Sequence, residues 1–413
     1  MRLEIPGVPP PLLVALVEAA AGSRLALVGG AVRDLMLHRH HQDPWRGLPD
    51  LDLVIEGSAD ELVARLPQAL ARAFVEPVGI AARSHDRFGT QQLELLLPGA
   101  ESSIWLLDVA TARTECYALP GVNPDVVPGD LEHDLARRDF TVNAMAISLV
   151  DGDLLDPFNG RQDLSCRYLR FLHRDSLRDD PTRLVRAARY AARLGFELAE
   201  DSSRQVEVVL QRWPWSWSPS DPPGRAPAAL STRLRMELEL LMACEPWADA
   251  LQRLQQWGGF KLLDVQLQAD PHWRRRMRWA QKLGIELFPA LLAGAAEPLL
   301  VAERLQLPKR QQRLLADYAE LQRRLIPLAN VTDTPSYWSK LLESPGVRPE
   351  AVGLAIASGL QPRRPLWRWW TCWRHVKAPC SATELMNIEG IAPGPELGER
   401  LRQLRASQLD QMS

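Results

Sequence analysis

Two short segments near the start of the chain contain the residue types that phosphate chemistry requires. Gly29 and Gly30 follow an apolar run over 25–28, and Asp50 and Asp52 open a second one. Glycines after a strand let the backbone approach a phosphate closely, and the following helix offers free N–H groups at its N-terminus. Two carboxylates separated by one residue lie on the same face of a strand. Such a pair can bind the two Mg²⁺ ions of metal-dependent phosphoryl or nucleotidyl transfer.

Each segment also has a purely structural explanation, a tight turn for the glycines and a solvated strand edge for the aspartates. Three further features favour the chemical interpretation. Arg33 lies one helical turn after the glycines, within reach of the same phosphate. Asp108 ends an apolar β run over 104–107 and can supply a third carboxylate. Arg137, Arg138 and Asp139 precede another apolar element, and arginines suit phosphates whereas an aspartate suits a sugar hydroxyl.

A second combination of aspartate and arginine lies at a predicted helix start. Pro181 suits the first helical position and Asp180 the N-cap before it. Asp180 and Arg183 are three residues apart, so both side chains can reach one small target. A carboxylate that accepts from an amine, beside a guanidinium that donates to a ring nitrogen, matches the pairing edges of cytosine and adenine. Uracil and guanine present the opposite polarity, so this pair would accept C and A and reject U and G.

The elements that must position these residues fall into two regions. A mixture of strands with helical stretches such as 59–74 predicts a small α/β domain, with β-type runs at 24–28, 52–56, 91–97, 104–110 and 142–150. Turn formers over 154–160 lead out of that sheet. The remainder is almost wholly helical, beginning with 181–195 and 203–212. A Trp/Pro/Ser stretch at 213–227 is interpreted as a linker or exposed loop.

We therefore predict an α+β protein whose α/β head is followed by helical segments. Of the later helices, the longest predicted ones are 229–243 and 309–325.

Composition restricts the class of protein further. The chain has 413 residues, of which 46% are hydrophobic and 24% charged, as in an ordinary globular protein of several domains. Its net charge of −2 means that any nucleic-acid surface must be a local basic patch. The five cysteines include no Cys-x-x-Cys pair, which predicts neither a zinc site nor a disulfide framework. We find no signal peptide and no uncharged run of about 18 residues, and we expect no membrane span and a cytoplasmic location.

The motifs, in their order along the chain, resemble those of the class II tRNA nucleotidyltransferase/poly(A) polymerase family, which includes the CCA-adding enzymes. The matching strings are Gly-Gly-Ala-Val-Arg-Asp (29–34), Asp-Leu-Asp (50–52), Arg-Arg-Asp-Phe-Thr-Val-Asn-Ala-Met (137–145), Asp-Pro-Phe-Asn-Gly (156–160) and Asp-Asp-Pro-Thr-Arg-Leu-Val-Arg-Ala-Ala-Arg-Tyr (179–190). The resemblance is continuous to about residue 200 and returns in the segment 390–398.

This resemblance implies a polymerase β-like catalytic head at 1–150, followed by a helical neck at 151–215, a body at 228–325 and a tRNA-binding tail at 326–413. It implies two Mg²⁺ ions, the substrates ATP and CTP, and tRNA as partner. It implies that Asp50 and Asp52 bind the metals, with Asp108 as a further catalytic carboxylate. Asp180 and Arg183 would form a protein template for the incoming base. The other residues that it places around the nucleotide are Gly29, Gly30, Arg33, Arg138, Asp139, Asn143, Arg186 and Arg189.

The chain departs from the family pattern in two places. The segment from His38 to Pro49 is longer than usual and carries Asp43 at the common distance from the glycines, but no β run follows Asp43, so we assign the metals to Asp50 and Asp52. Asp179 replaces the usual glutamate beside the template pair.

Several activities stay open on the sequence alone. The chain could add both C and A, only CC, only the terminal A, or a poly(A) tail, and a non-catalytic RNA-binding protein is a further alternative. The loop over 116–133 is not obviously truncated, which disfavours the CC-only enzyme. Basic segments with interleaved tryptophan at 273–279 and 363–370, and the basic side of helix 309–324, are candidate tRNA contacts. The oligomeric state is left open.

Overall fold

The computed structural model describes residues 4–45, 47, 50–85, 89–98, 103–329 and 333–412. The chain forms two compact units. The first comprises residues 1–216, 227–229 and 245–257, and the second comprises 217–226, 230–244 and 258–413. Residues 245–257, which the sequence assigned to the body, thus fold with the first unit. The finer division into head, neck, body and tail stays a prediction.

A seven-stranded mixed sheet organises the first unit, as the predicted α+β class requires. Its spatial order is β3-β4-β5-β2-β1-β8-β9. β1 pairs antiparallel with β2, whereas β2 and β5 are parallel neighbours. The strands are β1 Leu25–Val28, β2 Leu51–Ile55, β3 Gly79–His85, β4 Thr90–Leu97, β5 Ser103–Thr111, β8 Ala146–Ser148 and β9 Leu154–Leu155, with a separate hairpin of β6 Arg113–Cys116 and β7 Asp125–Pro128.

The two faces of the sheet differ in what they carry. Leu93 in β4 pairs with Leu107 in β5, and both are fully buried. The next pair along the ladder is Gln92 with Asp108, whose side chains lie on the opposite face because strand side chains alternate. Helix α3 (Ala59–Ala73) packs on β4 and β5 and, on its other side, against α1 (Pro10–Ala19). One face is therefore an apolar core and the other presents polar side chains.

Two boundaries of the predicted sheet are wrong. The apolar run predicted as one strand over 142–150 contains a 3-10 turn, Thr141–Asn143, before the short strand β8. Residues 154–160 do not lead directly out of the sheet, because β9 pairs with β8 and forms its edge. An apolar run that is buried on all sides shows no periodicity that separates a turn from a strand.

The first unit contains seven further helices among the described residues, of which α2 begins directly after Gly29. Helix α7 ends at Gly195, whose φ of +70° provides a left-handed C-cap. The helices are α2 Gly30–His41, α4 Leu131–Ala136, α5 Gly160–Cys166, α6 Ser176–Asp179, α7 Thr182–Leu194, α8 Glu200–Arg212 and α10 Trp247–Gln256, while β10 Tyr168–Leu169 pairs with β11 Glu197–Leu198.

In the part of the chain that the structure describes, the second unit contains helices and no strand. Its most central helix, α17, packs against α12, α15 and α18. The helices are α9 Thr232–Cys244, α11 Val265–Ala269, α12 Trp273–Lys282, α13 Leu287–Leu292, α14 Pro298–Arg304, α15 Lys309–Leu325, α16 Pro335–Leu342, α17 Pro349–Ser358, α18 Arg363–Thr371, α19 Ala382–Glu389 and α20 Pro395–Asp410. No helix among the described residues combines the length and the apolar character that crossing a bilayer requires.

Tryptophans that the sequence left ambiguous are largely packing residues. The exposed loop predicted at 213–227 is wrong for Trp215 and Trp217, each of which is 4% exposed. The indole N–H of Trp215 donates to the Arg178 carbonyl, and that of Trp217 to the Pro222 carbonyl. In the second unit Trp369 is also buried and donates to Glu343. Burial with a satisfied N–H is how a tryptophan contributes to a core.

Candidate active site

The glycine turn joins β1 to helix α2 in a conformation that only glycine adopts readily. Gly29 has φ +70° and ψ −132°, and its N–H donates to the Met145 carbonyl. A Cβ at this position would lie 2.8 Å from Nη1 of Arg138. The missing side chain therefore leaves room for Arg138 at the N-terminus of α2, where free N–H groups favour an anion.

Three carboxylates meet on the polar face of the sheet beside this turn. Asp50 precedes β2, Asp52 lies in β2, and Asp108 is the register partner of Asp52 in the parallel strand β5. One oxygen from each carboxylate lies within 4.8 Å of the others. The sequence predicted Asp108 at the end of a β run. β5 continues to Thr111, so Asp108 lies inside the strand. Its central position fixes it opposite Asp52.

The electrostatics of this cluster call for a cation. Burial, together with the charges of Asp50 and Asp108, raises the pKa of Asp52 to about 6, and Arg138 opposes the rise. Burial, followed by the charge of Asp108, also raises the pKa of Asp50. Carboxylates crowded in this way repel one another when ionised, and a divalent cation removes the repulsion. The donor set is all oxygen, which fits Mg²⁺.

Arg138 is held by an aspartate that the sequence analysis did not identify. Asp134 in α4 is fully buried and accepts from Nη2 of Arg138 at 3.0 Å. It also accepts from Nη2 and Nε of Arg137 at 2.7 and 3.0 Å. These charges and hydrogen bonds outweigh burial and hold the pKa of Asp134 below its ordinary value. The spacing of three and four residues between Asp134 and the arginines was the available signal.

A buried polar network connects the glycine helix to α7. Arg33, 3% exposed, donates from Nη1 to Oδ1 of Asn143 at 2.8 Å. Asn143 donates through its amide nitrogen to Oδ1 of Asp139 at 2.9 Å. The other oxygen of Asp139 accepts from Nε of Arg186 on α7 at 2.7 Å. The structure thus brings together four residues that the sequence placed around the nucleotide.

Tyr190 on α7 lies among several cations of the same region. The guanidinium carbon of Arg33 is 5.1 Å from the centre of the Tyr190 ring, and those of Arg186 and Arg193 are 6.0 and 5.7 Å away. Arg189 is buried near Glu245, which lies between α9 and α10, with 3.6 Å between Nε and Oε1. Arg189 therefore links α7 to the segment before α10, whereas Arg186 faces Asp139.

Asp180 and Arg183 are both buried at the start of α7. Oδ1 of Asp180 accepts from the backbone N–H of Thr182 at 3.0 Å, as an N-cap aspartate does. The Arg183 guanidinium donates to the Ser176 hydroxyl and, at 2.9 Å, to the Arg137 carbonyl. Arg183, the arginine of the pair that the sequence assigned to base selection, is therefore anchored to the segment after α4 that carries Arg138 and Asp139.

The alternative aspartate, Asp43, lies elsewhere in the first unit. It follows the end of α2 and forms an ion pair of 2.7 Å with Arg167. Its backbone carbonyl is 3.1 Å from Nδ1 of His38, which lies in the last turn of α2. Residues 46, 48 and 49 of the long segment 38–49 lie outside the described residues. Among the described residues, the carboxylate group suited to a metal consists of Asp50, Asp52 and Asp108.

Comparisons with known proteins agree with this geometry. Residues 25–170 match the Poly A polymerase head domain. A CC-adding tRNA nucleotidyltransferase of Deinococcus radiodurans is 34% identical over 404 residues, covering 94% of this chain and 85% of that protein. An A-adding tRNA nucleotidyltransferase of Halalkalibacterium halodurans is 40% identical over 199 residues, covering 46% of this chain and 41% of that protein.

Solved structures match over nearly the whole chain. A CCA-adding enzyme in an apo form is 25% identical with a TM-score of 0.71, covering 98% of this chain and 93% of that one. The Thermotoga maritima CCA-adding enzyme complexed with tRNA is also 25% identical, with a TM-score of 0.65 and the same coverage. The predicted polymerase β-like head with a helical remainder is confirmed. Sequence and structure together show that the chain belongs to the tRNA nucleotidyltransferase/poly(A) polymerase family.

Proposed function

We propose that the chain is a tRNA nucleotidyltransferase that adds C and/or A to the tRNA 3′ end, with release of pyrophosphate. The observation that carries this proposal is the group of Asp50, Asp52 and Asp108 beside the Gly29 turn. The intact site argues against a non-catalytic RNA-binding protein. Because its substrate would be cytoplasmic tRNA, we place the protein in the cytoplasm.

We assign two Mg²⁺ ions to Asp50 and Asp52, with Asp108 completing the carboxylate cluster. When bound, such a pair activates the attacking 3′-hydroxyl and stabilises the leaving pyrophosphate. Burial and the neighbouring charges of Asp50 and Asp108 raise the pKa of Asp52 to about 6, which supports this assignment because the ionised cluster needs a compensating charge.

The protein groups around the carboxylates orient the nucleotide. The turn at Gly29 and Gly30 and the guanidinium of Arg138 bind the triphosphate. The Arg33 guanidinium lies beside Gly30 and donates to Asn143, which supports the turn. Asp139 lies where a ribose hydroxyl can be bound, fixed by Asn143 and Arg186. Asp180 and Arg183 select the base, and Arg189 holds α7 in place through Glu245.

A narrower activity, addition of CC only, is favoured by one comparison. The relative that aligns with 94% of this chain is a CC-adding enzyme, whereas the A-adding relative of Halalkalibacterium halodurans aligns with 46%. The helical second half of the chain thus resembles a CC-adding protein. The loop over 116–133, whose length the sequence weighed against this activity, contains strand β7, which pairs with β6 as a hairpin.

The test uses purified protein with tRNA transcripts that end before C, after C and after CC, each with CTP, ATP and Mg²⁺. Incorporation of C on the first two and nothing on the third establishes CC addition. C on the first two together with A on the third establishes full CCA addition, and A on the third alone establishes an A-adding enzyme. If none of the transcripts is extended, the proposed nucleotidyltransferase activity is refuted. Asp52→Ala should abolish incorporation while tRNA still binds. Asp153→Asn, which changes an exposed carboxylate of the same unit, is the control.

The base-selecting role has its own test. Arg183→Ala should relax selection against UTP and GTP more than it weakens tRNA binding, because the pair acts on the incoming base. Unchanged selectivity in a folded variant would contradict the role of Arg183.

A further inference from the structure

A cavity of about 190 Å³ lies on the polar face of the sheet, directly beside the carboxylate group. Asp50 and Asp108 line one part of it, and side chains of β3, β4 and β5 line the rest. Those of them that have no role in binding the metals or the nucleotide include Arg83, Gln92, Glu94 and Leu106. We refer to this space as the β4 cavity.

The register of the strands explains why these side chains share a face with the carboxylates. Asp108 of β5 is the register partner of Asp52 in β2 on one side and of Gln92 in β4 on the other. Gln92 is in turn the partner of Arg83 in β3. Side chains of cross-strand partners lie on the same side of a sheet, so these four form one row across four strands. The row begins at the carboxylates assigned to the metals and ends at an arginine.

Arg83 brings to the β4 cavity a cation that the protein does not use for its own structure. Its side chain is exposed, and its guanidinium forms no hydrogen bond or ion pair within the part of the chain that the structure describes. Because three carboxylates also line the cavity, Arg83 does not make it basic as a whole. It offers donors at one end of the cavity, which suits a single phosphate group.

Exposed apolar side chains continue the β4 cavity along the same face. Leu106 and Ile104 lie two and four residues before Asp108 in β5, and Leu96 of β4 is the register partner of Ile104. Leu106, Ile104 and Leu96 are 44%, 68% and 47% exposed. A group of apolar side chains left in water marks a binding surface, and beside a site of phosphate chemistry it suits the flat faces of a sugar and a base.

The direction of the reaction relates the β4 cavity to one of the two substrates. In the proposed reaction the 3′-oxygen of the RNA bonds to the α-phosphorus, the bond from that phosphorus to the pyrophosphate oxygen breaks, and the hydroxyl proton leaves to water. The attacking and leaving oxygens lie on opposite sides of the phosphorus. The Gly29 turn, assigned to the triphosphate, follows β1, which lies beyond β2 and β5 as seen from β4. The attacking hydroxyl therefore approaches from the side of β4.

The residues assigned to the incoming base also lie away from the β4 cavity. Arg183 donates to the carbonyl of Arg137. The segment that carries Arg137 leads into β8, which pairs with β1. The groups assigned to the triphosphate and to the base are thus both on the β1 side of the carboxylates, and the β4 side is left for the RNA.

We propose that the β4 cavity binds the 3′-terminal nucleotide of the RNA, the one whose hydroxyl attacks. This inference rests on the proposed function, because it names where that reaction places its second substrate. Leu106 packs against the sugar and base of this nucleotide. β3 lies two strand spacings from β5, about 10 Å, so the Arg83 side chain reaches the phosphate on the 5′ side of the same nucleotide.

The test removes the arginine and the charge of the phosphate separately. Two tRNAs that end before C are compared, one ordinary and one with a methylphosphonate in place of its last internucleotide phosphate, which keeps the shape and removes the charge. Arg83→Gln should lower kcat/KM for the ordinary tRNA about tenfold, as expected for one charge-assisted hydrogen bond. It should leave kcat/KM for the methylphosphonate tRNA and the KM for CTP at the parent values. The control is Arg72→Gln, an exposed arginine that pairs with Glu18 on the opposite face of the sheet, and it should match the parent protein with both tRNAs.

Photocrosslinking gives a second readout that does not depend on catalysis. A tRNA with 4-thiouridine as its last nucleotide is irradiated with the protein in the absence of CTP and ATP, and the crosslinked peptides are identified by mass spectrometry. The crosslinks should lie in β4 or β5. Leu106→Ala should lower their yield, because the base loses the surface against which it packs.

Three results would overturn the assignment. They are an unchanged kcat/KM of Arg83→Gln with the ordinary tRNA, an equal loss with both tRNAs, and crosslinks that lie only outside β3, β4 and β5. A higher KM for CTP in Arg83→Gln would show instead that the β4 cavity binds the nucleotide, which also contradicts the proposal. Failure of the proposed function looks different, because the parent protein would then extend neither tRNA.

Discussion

The crowding of carboxylates at the catalytic face should make Asp52 a source of instability in the metal-free protein. Replacing Asp52 by Asn keeps the shape of the side chain and removes its charge. The pKa of this Asp is 3.8 in the unfolded chain and about 6 in the fold. The shift lowers the free energy of unfolding by about 3 kcal/mol at pH 8 and by about 1.5 kcal/mol at pH 5. The sign follows from the raised pKa: the folded state holds the proton more tightly, so stability falls as the pH rises through this range.

Asp52→Asn should therefore be more stable than the parent protein while losing activity. Thermal unfolding in EDTA at pH 8 should show a Tm higher by up to about 10 °C for the unit that contains the sheet, and at pH 5 the difference should be about half as large. Mg²⁺ should reverse the order, because it binds the ionised cluster of the parent protein and stabilises it in proportion to occupancy. Asp153→Asn, at an exposed position, should show neither effect.

Two results would refute this reasoning. If Asp52→Asn and the parent protein have the same Tm in EDTA at pH 8, the carboxylates do not repel one another as the structure indicates. If Mg²⁺ stabilises both proteins equally, the ion binds somewhere other than Asp52. The incorporation assay alone cannot distinguish these cases, since loss of activity is expected in both.

Three further changes test how the site is held. Gly29→Ala should raise the KM for CTP and destabilise the protein by about 1–3 kcal/mol, since it combines backbone strain with a clash at Arg138; Gly195→Ala, with φ +70° and open space around it, should cost only about 1 kcal/mol and leave KM unchanged. Asp134→Asn should cost about 3 kcal/mol in chemical denaturation, because the largely buried guanidinium of Arg138 loses its ion-pair partner and that of Arg137 keeps only Glu115, and a parent-like KM would show that Asp134 does not position Arg138. Asp139→Asn should weaken binding of CTP more than of tRNA; equal losses would contradict a role near the ribose.

Elements with a regular apolar pattern were predictable from the sequence. β4 alternates buried and exposed side chains along its length, and α15 was predicted with its observed bounds, Lys309–Leu325. The edge strand β3 was missed because its described side chains are exposed, and its pairing with β4 carries no signal in its own residues. The hairpin of β6 and β7 was missed for the same reason, since both strands are four residues long and neither has a buried side chain.

The residues of the site were predictable by type and spacing, but their connections were not. Asp50, Asp52 and Asp108 meet as expected, because strand alternation and a parallel neighbour bring them to one face. The sequence offered Arg33 and Arg183 as ligand contacts, and the structure shows both buried with protein partners. Such hydrogen bonds join segments more than 40 residues apart, and no local pattern encodes them.

Those connections tie base choice to phosphate position. Arg183 donates to the carbonyl of Arg137, the residue next to Arg138, whose side chain lies against the Gly29 turn. Arg186, one turn further along α7, holds Asp139 on the other side of Arg138. Under the proposed roles, a movement of α7 that admits a different base also shifts the groups assigned to the triphosphate. We therefore expect a base that fits poorly between Asp180 and Arg183 to be rejected both by lost hydrogen bonds and by displacement of Arg138 from the reacting phosphate.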